Sequence, residues 1–389
     1  MNKSVSKVLK DNTMIIVLVL VYLFFTWRTK GAMFMPLNFN ALVTQNAYVF
    51  ILACGMLMCM LTGGNIDLSC GSFVCFLGAV GSVMMNVLSV GTIPSIILML
   101  LVGIIYGCVL GYLVAYMNIP PWIATLAGYL AFRGIGTDIL SSNSSTGSIS
   151  IKSNAAFLSF FSGKLFSTRP GNLNTPCMAV GVVLAVIVVL VNFITRANKV
   201  RKGYEADSML TVIVKSAIEA AAIVLIMYKL AMAGGIPTVL VWVVIVVLFY
   251  SFITEKTTIG RHFYVVGGNR EAARLSGVNT RRIMFAAYLN MAIVTVITTY
   301  VVLARFQAAN STVGTNYEMD AISACVVGGV SAYGGAGSIF GMVIGATLIG
   351  VINLGMSLMN IDANYQKVVK GVVLLGAVAF DILSKKRDK

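Results

Sequence analysis

Few residues of this chain could do acid–base or ligand chemistry, and most of them lie in or beside long apolar runs. The 389 residues include 13 acidic side chains, seven cysteines and one histidine, His262. With a single histidine, neither a Ser-His-Asp arrangement nor a histidine-rich metal site can be assembled within those runs. The cysteines form no C-x-x-C pair, so neither a zinc site nor a disulfide framework is predicted. These residues argue against an enzyme, and no cofactor is expected on this chain.

Polar side chains inside the apolar runs instead supply donors and acceptors that suit a hydroxylated substrate. The residues that we predict to line a translocation path are Gln45, Asn46, Asn65, Asp67, Ser69, Thr125, Tyr129, Asp320, Asn353 and Tyr365. Each has a simpler alternative, because polar side chains between membrane helices often hydrogen-bond a neighbouring helix. Asp67 and Ser69 would equally suit the cap of a helix that begins near Gly71.

Arg133 lies about two-thirds of the way along a predicted membrane span. A charge at that depth is costly unless it has a partner or reaches water. We expect it to pair with an acidic residue such as Asp138 or to extend to the outer surface, with a substrate contact as the alternative. The acids at 317–320 would stabilise a helix N-terminus without any substrate.

The most informative local pattern is a polar and basic segment at 254–282, set between two apolar runs. Its residues 271–277 can form about two turns of helix, with Asn269 as the N-cap and a glycine at the end. They are Glu271, Ala272, Ala273, Arg274, Leu275, Ser276 and Gly277. The segment is either a plain surface helix in a long loop or a helix that docks into a cleft of a cytoplasmic partner.

Composition places the chain in a lipid bilayer, since 58% of its residues are hydrophobic and only 11% are charged, against about 25% charged in soluble domains. Candidate spans lie near 12–27, 42–62, 72–88, 96–116, 121–140, 177–195, 210–232, 237–253, 283–303, 338–358 and 366–384. We therefore predict an all-α polytopic membrane helical bundle, a single domain over 1–389 with about 10–12 transmembrane helices.

The positions of lysine and arginine predict the orientation in the membrane. Basic residues cluster at the N-terminus (Lys3, Lys7, Lys10), in the loop 196–208, in 254–282 and in the tail 385–387. We expect all of these, and so both termini, in the cytoplasm, and the polar loop 141–176 outside. Because these segments account for most of the net charge of +15, no nucleic-acid partner is expected.

Counting crossings from a cytoplasmic N-terminus requires one more crossing between 304 and 337. The candidate, 321–330, is shorter than the about 17 residues of an ordinary span, so we predict a broken or re-entrant helix, unless the span borrows neighbouring residues. The glycine-rich stretch 61–73 resembles 326–340, which indicates either a parallel internal repeat or chance similarity. Helices interrupted at corresponding positions lie near the substrate path in transporters.

Several of these segments resemble a known family. The block 271–277 resembles the coupling-helix signature of ABC importer permeases, and 259–279 is similar to monosaccharide permeases for ribose, galactose and xylose. Further segments that resemble the same family are 62–72, 119–126, 317–341 and 366–381. Compared with ribose-type permeases, 196–237 is an additional loop and helix, as in the longer xylose-type or multiple-monosaccharide permeases. Asn65 is inserted into the usual G-G-I-D-L-S motif, so the motif does not name the sugar.

The resemblance implies the permease subunit of an ABC importer for a monosaccharide, such as xylose or galactose, in the bacterial plasma (inner) membrane. It implies three protein partners: a second permease subunit, expected to be an identical copy; a cytoplasmic ABC ATPase that binds ATP and magnesium; and an extracytoplasmic sugar-binding protein. In that family 271–277 would couple the ATPase to the path, and the glycine-rich breaks 63–71 and 328–337 would line or hinge it.

An ion-coupled secondary sugar transporter is the alternative, since twelve crossings also fit such a carrier. It needs no docking helix, and it usually needs an intramembrane carboxylate, for which Asp67 and Asp320 are the candidates. The sequence has no G-x-x-x-x-G-K-S/T motif, so an ABC transporter would require its ATPase on a separate chain.

Overall fold

The computed structural model describes residues 13–205 and 208–387, and within them the chain is almost entirely helical. The helices are α1 (Thr13–Arg28), α2 (Pro36–Leu61), α3 (Cys70–Ser82), α4 (Thr92–Ala115), α5 (Pro121–Asn143), α6 (Ala155–Ser162), α7 (Thr175–Arg201), α8 (Met209–Met232), α9 (Thr238–Lys256), α10 (Thr258–Gly268), α11 (Arg270–Leu275), α12 (Thr280–Phe306), α13 (Tyr317–Val327), α14 (Ile339–Leu358) and α15 (Ala363–Arg387). Four short strands are β1 (Ser148–Ser150), β2 (Lys164–Leu165), β3 (Ile236–Pro237) and β4 (Ala308–Asn310). The predicted all-α membrane bundle is confirmed.

Each of the eleven apolar runs coincides with a helix, because a chain in hydrocarbon must satisfy its backbone hydrogen bonds internally. Of the helices that the structure describes, eight are long and apolar enough to cross a membrane. The predicted break near 321–330 is also present: α13 has 11 residues and ends at Val327. The lysines expected at the cytoplasmic N-terminus (Lys3, Lys7 and Lys10) lie outside the described residues.

Helix α2 is the centre of the bundle. Every residue from 51 to 61 is buried, and α2 packs against α12, α13, α14 and α9. A helix that is apolar on all sides is typical of such a central position. The sequence accordingly shows no polar stripe along this half of the helix.

Glycines allow α4 to lie close to α12. Gly103, Gly107 and Gly111 recur at every fourth position, so they form one face of α4. A Cβ on Gly107 would lie 3.0 Å from the Cα of Leu289, which is tighter than nine in ten real Cβ contacts. Small residues at this spacing let membrane helices pack by backbone contact.

Helices α7 and α8 form a hairpin at the periphery. Only 17% and 11% of their apolar spans are buried within the protein. A side-chain hydrogen bond links the two helices, in which Asn192 Nδ2 donates to Glu219 Oε2 at 2.7 Å. The segment 196–237, predicted as an addition, supplies the second helix of this hairpin and its connections.

Two helices of the bundle are interrupted. A non-helical loop at 62–69 separates α2 from α3, and a second at 328–338 separates α13 from α14. Before α13, the chain folds back through β4, which pairs antiparallel with β1. The sequence did not predict the β1–β4 pairing, which joins residues about 160 positions apart.

Candidate coupling and translocation site

The two-turn helix expected in 254–282 is present as α11. The Oδ1 of Asn269 accepts a hydrogen bond from Ala272 N at 2.9 Å, so the predicted N-cap is confirmed. At the other end Gly277 adopts φ +82°, and Val278 N donates to Ala273 O at 3.0 Å. A left-handed glycine that closes a helix in this way is a common C-terminal stop.

Most of α11 is exposed. The ion pair between Arg274 Nη2 and Glu271 Oε1 measures 2.5 Å, but both side chains are about two-thirds exposed, so it contributes little stability. Leu275 is 78% exposed, whereas Ala273 is fully buried. Ala273 thus attaches the helix to the rest of the chain, and Leu275 presents an apolar side chain outward.

A second helix in the basic segment was not predicted. Helix α10 is capped by Thr257, whose Oγ1 accepts from Gly260 N at 3.1 Å, and buries Phe263 and Val266. Its Tyr264 hydroxyl donates to Gly337 O at 3.0 Å. Apolar residues at i and i+3 give the signal for this helix in the sequence, but the surrounding charges obscure it.

The two glycine-rich breaks lie directly against each other. A Cβ on Gly64 would overlap the carbonyl oxygen of Ala332, and a Cβ on Gly334 would overlap the Cα of Gly63. Gly335 N donates to Leu61 O at 3.1 Å. The two stretches that resemble each other in sequence therefore meet at one place in the fold.

Asp67 and Ser69, predicted for the path, form a buried network at the start of α3. Asp67 Oδ1 accepts from Ser69 N at 2.8 Å and from Ser69 Oγ at 2.6 Å, and the Tyr106 hydroxyl donates to Ser69 Oγ at 2.7 Å. Of the two residues expected to cap α3, Ser69 is the N-cap residue, but its side chain caps no backbone N–H, whereas Asp67 bonds to the backbone N–H of Ser69. The carboxylate instead closes the turn that precedes the helix.

Asp320 of α13 forms an ion pair with one helix and a hydrogen bond with another, so it joins three helices. Lys370 Nζ of α15 lies 2.9 Å from Asp320 Oδ1, and the Tyr48 hydroxyl of α2 donates to Asp320 Oδ2 at 2.5 Å. The Asp320 side chain is 3% exposed, and the rings of Tyr48 and Tyr317 stack with centroids 3.8 Å apart. The sequence did not predict the roles of Tyr48 and Lys370, because no local pattern indicates which helices pack against Asp320.

Arg133 does not pair with Asp138, so that expectation is wrong. Its Nη1 donates to two backbone carbonyls, Ser311 O at 3.0 Å and Val313 O at 2.9 Å. Asp138 is exposed and lies five positions on, about 140° around the helix, on a different face. Arg133 thereby holds the segment that leads from β4 into α13.

The remaining predicted path residues are distributed over several helices. Asn353 Nδ2 donates to Asn46 Oδ1 at 3.1 Å, which links α14 to α2. Thr125 Oγ1 donates to Pro121 O in its own helix, and Asn65 Nδ2 donates to Thr62 O. The structure places Gln45 and Tyr129 at half-buried positions and Tyr365 at an exposed one. It therefore does not bring all ten residues together, and their role in a path stays a prediction.

The described residues contain no group of three or more acidic, histidine or cysteine side chains that could hold a metal ion. The structure contains a helical bundle with two helix breaks in contact, buried polar networks beside them, and an exposed helix attached to the same region. These features define a multi-pass membrane protein with interrupted helices of the kind found in transporters.

Comparison with known proteins identifies the family. The chain belongs to the family described as branched-chain amino acid transport system / permease component, whose model matches residues 38–378. It is 33% identical over 375 residues to the xylose transport system permease protein XylH of Escherichia coli K12, covering 96% of this chain and 92% of that protein. The identity to XylH of Haemophilus influenzae is also 33%, over 379 residues and 96% of each chain.

A ribose import permease protein, RbsC of Escherichia coli K12, is 28% identical over 344 residues, which cover 88% of this chain and 85% of that protein. No solved structure matches the chain significantly. The family membership agrees with the resemblance found from the sequence motifs. This chain is thus a transport permease.

Proposed function

We propose that this chain is the membrane subunit of an ATP-binding-cassette importer and that it carries a monosaccharide. The relatives that cover nearly its whole length are named for xylose and ribose transport. The single observation that carries the proposal is α11, a capped and exposed two-turn helix. Its Leu275 side chain is left largely uncovered by the rest of the described chain. A self-contained carrier needs no docking helix.

The energy for transport comes from partner proteins. A cytoplasmic ABC ATPase binds ATP and magnesium and receives α11 in a cleft. A second, identical permease subunit completes the pathway, and an extracytoplasmic binding protein delivers the sugar. In this arrangement α11 and the basic residues around it face the cytoplasm, as do both termini, in agreement with the positive-inside rule.

Within the membrane, the sugar passes polar side chains of the helices next to the two breaks. Because the binding protein selects the sugar, the path needs only weak contacts with hydroxyl groups, which hydroxyl and amide side chains provide. The peripheral α7–α8 hairpin and the higher identity to the xylose relatives favour a xylose-type permease over a ribose-type one.

The structure does not support Asp67 or Asp320 as the coupling carboxylate of an ion-coupled carrier. Such a carrier needs a carboxylate that can exchange a proton or a cation during transport. Asp67 already accepts two hydrogen bonds from Ser69, and Asp320 is occupied by Lys370 and Tyr48. Both carboxylates have structural partners that explain their burial.

Assembly with an ATPase is the first test of this function. The purified chain would be mixed in turn with each sugar-type ABC ATPase of the same cell and its molar mass measured by light scattering. We expect one ATPase to form a stable complex that contains two copies of the chain. If the chain stays free of every ATPase at micromolar concentration, the proposed function is wrong.

A further inference from the structure

Three pairs of adjacent glycines meet at one point of the molecule. They are Gly63–Gly64 in the first break, Gly334–Gly335 in the second, and Gly267–Gly268 at the end of α10. The third pair lies directly before Asn269, the N-cap of α11. We call this contact region the glycine junction.

Backbone atoms make the contacts of the glycine junction. A Cβ on Gly267 would overlap the carbonyl oxygen of Leu61 and lie 2.6 Å from Gly335 N. A Cβ on Gly335 would lie 2.7 Å from the Cα of Gly268. Separations below 3.0 Å essentially never occur for real Cβ atoms, so only glycine fits at 267 without moving the backbone.

Two hydrogen bonds hold the glycine junction together. Gly335 N donates to Leu61 O at 3.1 Å, joining the second break to the end of α2. The Tyr264 hydroxyl donates to Gly337 O at 3.0 Å, joining α10 to the second break. Burial, with a smaller contribution from Glu255, raises the pKa of Tyr264, so the hydroxyl keeps the proton that it donates.

We propose that the glycine junction is the mechanical link between the ATPase-docking helix α11 and the two broken helices of the pathway. The inference rests on the proposed function, since it requires that α11 is moved by an ATPase. Gly267 is then a positioning residue: it touches no sugar and no ATPase, and it sets how α11 is fixed to both breaks.

Backbone contacts make the glycine junction stiff. Flexible side chains between two elements can change rotamer and absorb a displacement of an ångström or more. Packed backbones have no such freedom, because interiors are close-packed and transmit strain. A displacement of α11 is therefore passed to 61–64 and 332–335 together, and both breaks move as one unit.

The chain offers a matched pair of variants at neighbouring positions. Gly267→Ala places a methyl group against Leu61 and Gly335, whereas a Cβ at Gly268 would meet nothing within 4 Å. Both variants add the same group to the same helix end. Each would be reconstituted into lipid vesicles with the ATPase and the sugar-binding protein, and sugar uptake and ATP hydrolysis measured together.

We expect Gly267→Ala to lower the sugar transported per ATP hydrolysed by about tenfold, within the usual range of coupling between two sites. Basal ATP hydrolysis should stay within about twofold of the unmodified protein, and Gly268→Ala should behave like the unmodified protein. Equal coupling ratios in an assembled Gly267→Ala, Gly268→Ala and unmodified protein would overturn the inference. No ATP-driven uptake in the unmodified protein would instead overturn the proposed function.

Tyr264→Phe tests the same inference if the Gly267→Ala variant does not assemble with the ATPase. This variant removes only the hydroxyl that bonds to Gly337 O and leaves the ring in place. In a complex of normal mass, we expect the sugar transported per ATP hydrolysed to fall about threefold, which matches the net free energy of a typical hydrogen bond. An unchanged coupling ratio in that complex would overturn the inference.

Discussion

Replacing Lys370 with methionine is expected to abolish sugar uptake, and replacing Asp320 with asparagine in the same chain is expected to restore most of it. In the single variant, Asp320 keeps a charge that is 3% exposed and has lost its cation. An uncompensated buried charge costs about 3–5 kcal/mol, whereas a neutral pair of similar volume is often tolerated. Tyr48 can still donate to the amide oxygen of the asparagine. Uptake in cells, corrected for the amount of protein in the membrane, is the measurement.

Lys367→Met is the matched control for this prediction. Lys367 lies one turn before Lys370 on α15 and is exposed, so its loss should leave uptake near that of the unmodified chain. If the double variant stays as inactive as Lys370→Met, the ion pair is not merely structural, and a direct contact of Asp320 or Lys370 with the sugar becomes the better account.

Replacing Leu275 with aspartate is expected to reduce ATP-driven uptake at least about tenfold by weakening the docking of α11. A hot-spot residue of an interface costs about 2 kcal/mol or more of binding free energy when it is removed, and we expect Leu275 to be one. Since Leu275 is 78% exposed, the change removes no contact of the core, and thermal unfolding of the permease alone should not change. Affinity for the ATPase, measured by biolayer interferometry with the permease in nanodiscs, should fall by the same factor as uptake.

Val200→Asp is the control for Leu275→Asp. Val200 is 54% exposed near the end of α7, in the other basic segment that is expected on the cytoplasmic face. Both variants introduce one negative charge at an exposed apolar position. Equal loss of ATPase affinity in the two variants would show that charge, and not the α11 contact, determines binding.

Much of the fold follows from hydrophobic length and from caps. Each apolar run became a helix, and even the break after α13 was indicated by a run too short to span the membrane. Asn269 and Gly277 delimit α11 because local hydrogen bonding and backbone conformation determine those ends. Such signals lie within a few residues of one another, so a single sequence contains them.

The partners of the charged residues and the contacts of the glycines could not be predicted in the same way. Asp320 meets Tyr48 from 272 positions earlier, and Arg133 bonds to carbonyls 178 and 180 positions later. Asp138 is close to Arg133 in the sequence, but it lies on a different face of the helix. Gly267 carries no local signal of its contact with Leu61, because that contact exists only once three separate segments pack.

The proposed function depends above all on the energy source for uptake. The chain would be reconstituted into vesicles alone, and in parallel with its ATPase, its sugar-binding protein and ATP, and radiolabelled xylose uptake would be measured with and without a proton or sodium gradient. We predict uptake only in the complete system, with ATP required and ion gradients without effect. Gradient-driven xylose uptake by the chain alone would contradict the account and identify an ion-coupled carrier.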